Sequence, residues 1–144
     1  MTSLTLAQAT ILADAALAEG RRLGLAPLTL VVLDAGGHVV VAKREDNSGI
    51  LRFEIAYGKA WGALGMGFGT RELAERATKF PTFIAAMAAT SGGRMVPSPG
   101  GVLIRRNGAT LGAVGISGDT GPQDEAAALA GIAAAGFDAA PGLP

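Results

Sequence analysis

The stretch "GVLIRRNGATLGAVGIS", Gly101 to Ser117, constrains the fold more than any other part of the chain. Two apolar, branched runs flank Asn107-Gly108. That pair accepts positive φ at both central positions of a type I′ turn, whose twist matches that of paired strands. The segment therefore predicts an antiparallel hairpin. A second hairpin is read upstream in "LTLVVLDAGGHVVVAKRED", where Leu28–Leu33 and Val39–Ala42 flank the turn residues "DAGGH". Leu28–Leu33 is apolar almost throughout, so both its faces should be covered. Leu28–Leu33 and Ala109–Ser117 are accordingly expected as central strands.

Helical signals surround the hairpins. Thr5 and Gln8 have capping-box spacing, and Leu6, Ala9, Ala13, Ala16 and Leu17 recur at helical spacing behind them. In "ILRFEIAYGKAWGALGMG", Phe53, Ala56, Ala60 and Ala63 share one stripe, and the interspersed glycines suit close approach of another backbone. "TRELAERATKF" and "PTFIAAMAAT" read as shorter helices, with Thr70 as a cap and Pro81 at a helix start. "SGGRMVPSPGG" reads as a loop with one short strand at "RMV". A last helix is expected from near Pro122 to Gly136, followed by a loose tail, "DAAPGLP". The order is helix, hairpin, helices, hairpin, helix. Hairpins imply antiparallel pairing, so the expected fold is α+β, one sheet with helices against it. No linker or repeat divides residues 1–144, which suit a single domain.

Charge and composition narrow the function. Twelve Lys+Arg balance twelve Asp+Glu, so no field of one sign exists to draw in nucleic acid or an anionic membrane. Cysteine is absent, which removes disulfides and thiolate chemistry and fits a cytoplasmic setting. The longest apolar run, Ala126 to Phe137, falls short of the ~20 residues needed to span a bilayer. "MTSLTLAQAT" lacks the pattern of a signal peptide. Yet hydrophobic residues make up 49 %, charged residues 17 %, and mean hydropathy is +0.38. An oligomer interface is the natural place for that excess apolar surface.

Chemistry-bearing residues gather in "LGAVGISGDTGPQDEAAALAG", which holds Gly115, Ser117, Gly118, Asp119, Asp124 and Glu125. A helix starting there could hold an anion on its free amides. Three acidic residues beside those amides would repel one. Capping by Asp119 or Thr120, with Asp124 and Glu125 complementing the dipole, is the favoured reading. Asp124 is also a candidate acid or base. Lys59 stands on a helix otherwise lined by Ala, Gly, Phe and Trp61, where a partly buried amine can pair with a ligand carboxylate or with Asp124 or Glu125. His38, the single histidine, sits at a hairpin tip and reads as a solvated ring rather than an axial haem ligand. Met66, Met87 and Met95 read as core fillers. Arg44 and Asp46 could clamp a ligand at the sheet edge, but an exposed ion pair is plainer. Gly100 and Gly101 either admit a ligand to backbone amides or only shape the start of a strand. A Ser117–His38–Asp34 triad lacks a nucleophile-elbow pattern, and one His without Cys does not make a zinc site. "GKAWGALGMGFG" is not a Walker loop.

Taken in order, "VVLDAGGHVVVAKRED", "EIAYGKAWGA" and "SPGGVLIRRNGATLGAVGISGDTGPQDEAAALAG" resemble the GlcG/HbpS family, which includes the C-terminal domain of PduO-type proteins. The resemblance implies a profilin-like sandwich with a five-stranded antiparallel sheet and higher oligomers, tetramer to octamer. It also implies haem as a cofactor, because some relatives bind haem, while others sit among genes for small-acid breakdown. On these grounds Lys59, Asp124 and Glu125 form the candidate catalytic set. Asp34, Arg44, Asp46, Gly100, Gly101, Gly115, Ser117 and Gly118 form the candidate ligand-binding set, and no metal site is expected. Three functions stay open: a small-molecule-binding domain with haem as ligand, a cofactor-independent isomerase, lyase or hydrolase acting on a small hydroxy, keto or unsaturated acid, and a structural or regulatory oligomer. Any haem binding is expected to be weak and to lie at an oligomer surface or cleft.

Overall fold

The computed structural model describes residues 3–144. Its elements run α1 (Leu6–Arg22), β1 (Thr29–Asp34), β2 (Val39–Arg44), α2 (Arg52–Met66), α3 (Thr70–Lys79), α4 (Pro81–Thr90), β3 (Gly101–Arg106), β4 (Ala109–Ser117), α5 (Gly121–Ala134) and β5 (Asp138–Ala140). They form the expected α+β architecture, consistent with a profilin-like sandwich. One antiparallel sheet has the order β2-β1-β4-β3-β5. Asn107 and Gly108 turn β3 into β4 with φ of 52° and 79°, as the type I′ reading requires. β1 and β4 are neighbours in the sheet interior, and five of the six β1 residues are buried.

The alternation of side chains explains the burial. Leu30 and Val32 of β1, with Val114 and Ile116 of β4, join a core cluster with Ala9, Leu12, Ala13 and Ala16 of α1 and Ala127, Ala128 and Ile132 of α5. Val31, Leu33 and Ala113 point the other way, onto Ala56, Ala60 and Ala63 of α2. A third, smaller cluster lies beyond α2, where Leu73 of α3, Ile84 of α4 and Met95 meet, with Met66 and Met87 against them. Met66, Met87 and Met95 thus fill apolar gaps. α2 lies so close to the sheet that a Cβ on Gly115 would overlap the Ala56 carbonyl oxygen.

Thr5 Oγ1 accepts the Gln8 amide at 3.1 Å, and Gln8 Oε1 accepts the Thr5 amide at 3.0 Å, so the capping box forms. The apolar stripe of α1 is shifted from the expected one. Leu12 is buried in it, Leu17 only packs at its edge, and Leu6 is exposed. Thr70 is not a cap: Gly69 holds that position, and the Thr70 hydroxyl accepts the Gly101 amide at 2.8 Å, tying α3 to β3. "RMV" is not a strand, and the Val96 amide donates to the Gly58 carbonyl of α2 instead. The tail is not loose throughout. Asp138–Ala140 pairs with Leu103–Arg105 as β5, and Pro141 packs flush against Gly69.

Candidate functional site

The strand register sorts the candidate residues into two ends of the sheet. Thr29 opposes Ser117 at one end of the β1–β4 pair, and Asp34 opposes Gly112 at the other. Five residues of strand separate them, roughly 17 Å at about 3.3 Å per residue. Ser117 therefore cannot share a triad with His38 and Asp34.

At the Ser117 end, Lys59 and Asp124 meet. Lys59 projects from the sheet-facing side of α2, and Asp124 from the first turn of α5. Lys59 Nζ donates to Asp124 Oδ2 at 3.0 Å and to the Ile116 carbonyl at 2.8 Å. Asp124 Oδ1 accepts the Asp119 amide at 2.9 Å. The two residues are only 2 % and 1 % exposed. Burial pulls the Lys59 amine below its ordinary range and pushes the Asp124 carboxyl above its own, and each partner's charge pulls back against that drift. Gly100 completes the enclosure. Its φ of 123° belongs to glycine, and a Cβ there would press on Lys59 Nζ and the Ile116 oxygen. Gly101 leaves room for the Lys59 backbone, and Gly118 for the Pro27 carbonyl. So Lys59, Asp124, Gly100, Gly101, Gly115, Ser117 and Gly118 do share one end of the sheet, with the glycines serving close backbone packing.

Glu125 is also buried but looks away from that pair. Arg71 grips it in two-pronged fashion, with Nη2–Oε2 at 2.5 Å and Nε–Oε1 at 3.1 Å. The capping reading of this turn holds for position only. Thr120 is the cap residue without a side-chain hydrogen bond, and Asp119 instead accepts the Ala26 amide at 2.9 Å and the Thr120 amide at 2.8 Å. Buried Lys59 and half-buried Arg71 take up Asp124 and Glu125, so these acids do more than complement a dipole. Arg52 Nη1 donates to Ser117 Oγ at 3.1 Å, and its charge adds to the pressure on the Lys59 amine. Neither Arg52 nor Arg71 was singled out in the sequence, because only tertiary placement brings them to residues 65 and 54 positions away.

At the other end, Asp34 and His38 flank the β1–β2 turn. Asp34 Oδ1 accepts the Gly36 amide at 2.9 Å and the His38 amide at 3.0 Å, and lies 3.1 Å from His38 Nδ1. Partial burial disfavours the Asp34 carboxylate, but the His38 amide and ring and the Gly36 amide outweigh it and hold the carboxyl below its ordinary range. The His38 side chain is 80 % exposed, so the ring is solvated as expected. The sequence did not show the carboxylate behind it. In the tautomer that donates Nδ1–H to Asp34, Nε2 keeps a free lone pair facing outward. The Trp61 indole lies beneath the same turn, within contact distance of a Cβ placed on Gly37, and carries the Arg94 guanidinium 4.1 Å above its ring.

Arg44 opposes Thr29 in the β1–β2 register, so it lies at the Ser117 end of the sheet with β1 between them, and Asp46 follows just beyond the end of β2. They do not form the expected ion pair: Arg44 donates to the Ser48 carbonyl at 2.8 Å. Both line an open cleft of about 380 Å³ with Arg21, Pro27 and Glu45. A second cleft, of about 370 Å³, lies between α3 and the tail. Neither is lined by Lys59 or Asp124.

Comparison with known proteins fits this architecture. Residues 4–133 match the family model described as "Haem degrading protein HbpS-like". The chain belongs to this HbpS-like family, the GlcG/HbpS group that its motifs resemble. A 15.0 kDa protein of the dhaT-dhaS intergenic region of Citrobacter freundii is 31 % identical over 124 residues, 86 % of either chain. Among solved structures, the PduOC:haem complex superposes with a TM-score of 0.86 at 28 % identity, covering 95 % of this chain and 98 % of that one. HbpS superposes with a TM-score of 0.80 at 30 % identity, covering 92 % and 90 %.

Proposed function

We propose that this chain is a small-molecule-binding domain that takes haem at an exposed face, with His38 as the iron ligand. The observation that carries the reading is the Asp34–His38 contact of 3.1 Å. A carboxylate on Nδ1 fixes the ring orientation and makes Nε2 a better donor, the arrangement that supports metal-bound histidines. Trp61, beneath the turn, offers a flat apolar neighbour, and Arg94 a cation for a ligand carboxylate. Haem supplies a redox-active iron when bound. The chain's own residues provide the donor, its orientation and the flanking cation. Solvent reaches the turn freely, so binding is expected to be weak. A haemin titration followed at the Soret band tests this. Saturation in the wild type and a clear loss of affinity in His38→Ala are expected, and equal affinity in both would refute the assignment.

The family relation also suggests a homo-oligomer, tetramer to octamer, and the surface supports it. From Phe80 to Gly93 the chain has no ionisable residue. α4, within that stretch, buries only Ile84 and leaves Phe83 exposed beside Phe80. Ile50 is 96 % exposed, next to exposed Leu51 and Phe53. Burial of such surface at ~25 cal/mol per Å² can outweigh the cost of association. Light scattering should give a multiple of 14.3 kDa that falls in Phe83→Glu, and a monomer across a dilution series would refute it. A cysteine-free chain suits the reducing cytoplasm, the location we propose.

One observation favours a second reading, an enzyme acting on a small acid: Lys59 and Asp124 converge with displaced pKa values. In the closed arrangement each is the other's partner, so a substrate would have to part them. Turnover of small hydroxy or keto acids by the wild type, lost in Lys59→Met and still absent when Asp124→Leu restores the stability of that variant, would move the balance to this reading.

A further inference from the structure

Arg105 and Arg106 are consecutive in β3, yet they face opposite layers. The Arg106 guanidinium lies 4.5 Å above the ring of Phe137, which belongs to the α1/α5 core. Arg105 faces α3, where it lines the cleft of about 370 Å³ with Phe68, Glu72 and Pro141–Leu143. Among the described residues, none of the ion pairs uses Arg105. Its Nε is buried without any hydrogen-bond partner and is the one such side-chain atom among them. Native chains rarely leave a half-buried guanidinium unanswered.

The nearby acids do not answer it. Glu72 is engaged by the Arg76 guanidinium at 2.6 Å and by the Leu143 amide at 3.1 Å. Asp138 opposes Arg105 in the β3–β5 register but is exposed and unpaired with it. The cleft lining therefore combines a guanidinium that no carboxylate pairs with and an apolar wall from Phe68, Ala140, Pro141 and Leu143.

We propose that this cleft is a second ligand site, one that binds a small monocarboxylate through Arg105. The guanidinium matches a carboxylate in plane and spacing. The apolar wall suits a short hydrocarbon tail, and the volume is that of a small-molecule site. The Glu72 carboxylate on the rim disfavours a phosphate dianion more than a single carboxylate. This site is separate from the Asp34–His38 turn and does not depend on haem binding there.

The test is an amide chemical-shift titration of the full chain with sodium butanoate, and in parallel with inorganic phosphate. Butanoate should produce saturable shifts centred on Gly69, Glu72, Ala140 and Gly142. Affinity should fall by about tenfold or more in Arg105→Gln, equivalent to ~1.4 kcal/mol. Arg105→Lys keeps the charge without the fork and should also lose most of the affinity, while Arg22→Gln, at the exposed end of α1, should leave binding unchanged. Scattered, non-saturating shifts in the wild type would overturn the proposal whatever the variants do. So would equal binding by Arg105→Gln, or tighter binding of phosphate than of butanoate.

Discussion

Lys59 Nζ and Asp124 Oδ2 lie 3.0 Å apart with almost no solvent contact, and they join helices on opposite faces of the sheet. The Ile116 carbonyl accepts a second hydrogen bond from Lys59, and the Asp119 amide donates to the other Asp124 oxygen. Removal of one partner leaves an uncompensated buried charge, which costs about 3–5 kcal/mol. Lys59→Met should therefore destabilise the fold by that order in urea unfolding. Lys59→Met combined with Asp124→Leu should recover much of the loss. Equal stability of the single variant and wild type would mean that the pair is open to water in solution.

Gly115→Ala places a methyl group where the Ala56 carbonyl oxygen already lies. α2 must retreat from β4, and overpacking of this kind costs ~1–3 kcal/mol. Thermal unfolding should show a clear drop in Tm. The same change at exposed Gly108 is strained for a different reason, its φ of 79°, and should not disturb the α2–β4 contact.

Glu72 is held below its ordinary value of 4.5, first by the Leu143 amide and then by Arg76. A depressed carboxylate stabilises the fold above its unfolded pKa, and that contribution is lost as pH falls through the folded pKa. The Leu143 amide resonance should therefore shift with a midpoint below 4.5. Glu72→Gln should remove that titration, and a midpoint at or above the ordinary value would show that the tail does not dock on α3.

Asp34→Asn keeps the turn's acceptor oxygen but removes the carboxylate behind His38. Loss of such a partner costs roughly 10–100-fold in metal affinity at characterised sites. Haemin affinity should fall in Asp34→Asn, though less than in His38→Ala. An unchanged affinity would detach Asp34 from ligand binding.

The two hairpins were legible because their turn residues and branched runs act locally. The three-residue β5 was not, since "DAA" has neither branched side chains nor alternation and depends on the free edge of β3. The polar residues show the same division. Lys59 stood out as the single charge on an apolar helix stripe, and its pairing with Asp124 was among the expected options. Asp119 and Thr120 read equally well as caps from sequence, and Thr120 holds the position, while the Ala26 amide, 93 residues away, claims the Asp119 carboxylate. Asp34 and His38 have i, i+4 spacing around Gly36-Gly37, a signal that could have revealed their contact.

α4 packs chiefly on α3, and the small cluster around Ile84 is separate from the two clusters that clasp the sheet. Its cooperativity with the rest of the fold is therefore weak. In an isolated protomer the segment should open on its own, at a free energy well below that of global unfolding. Native-state hydrogen exchange would register this as fast-exchanging amides from Ile84 to Thr90, against slow ones in β1 and β4. Assembly through α4 would slow that exchange. The helix would then gain its rigidity from its neighbours, and the order of a whole subunit would depend on protein concentration.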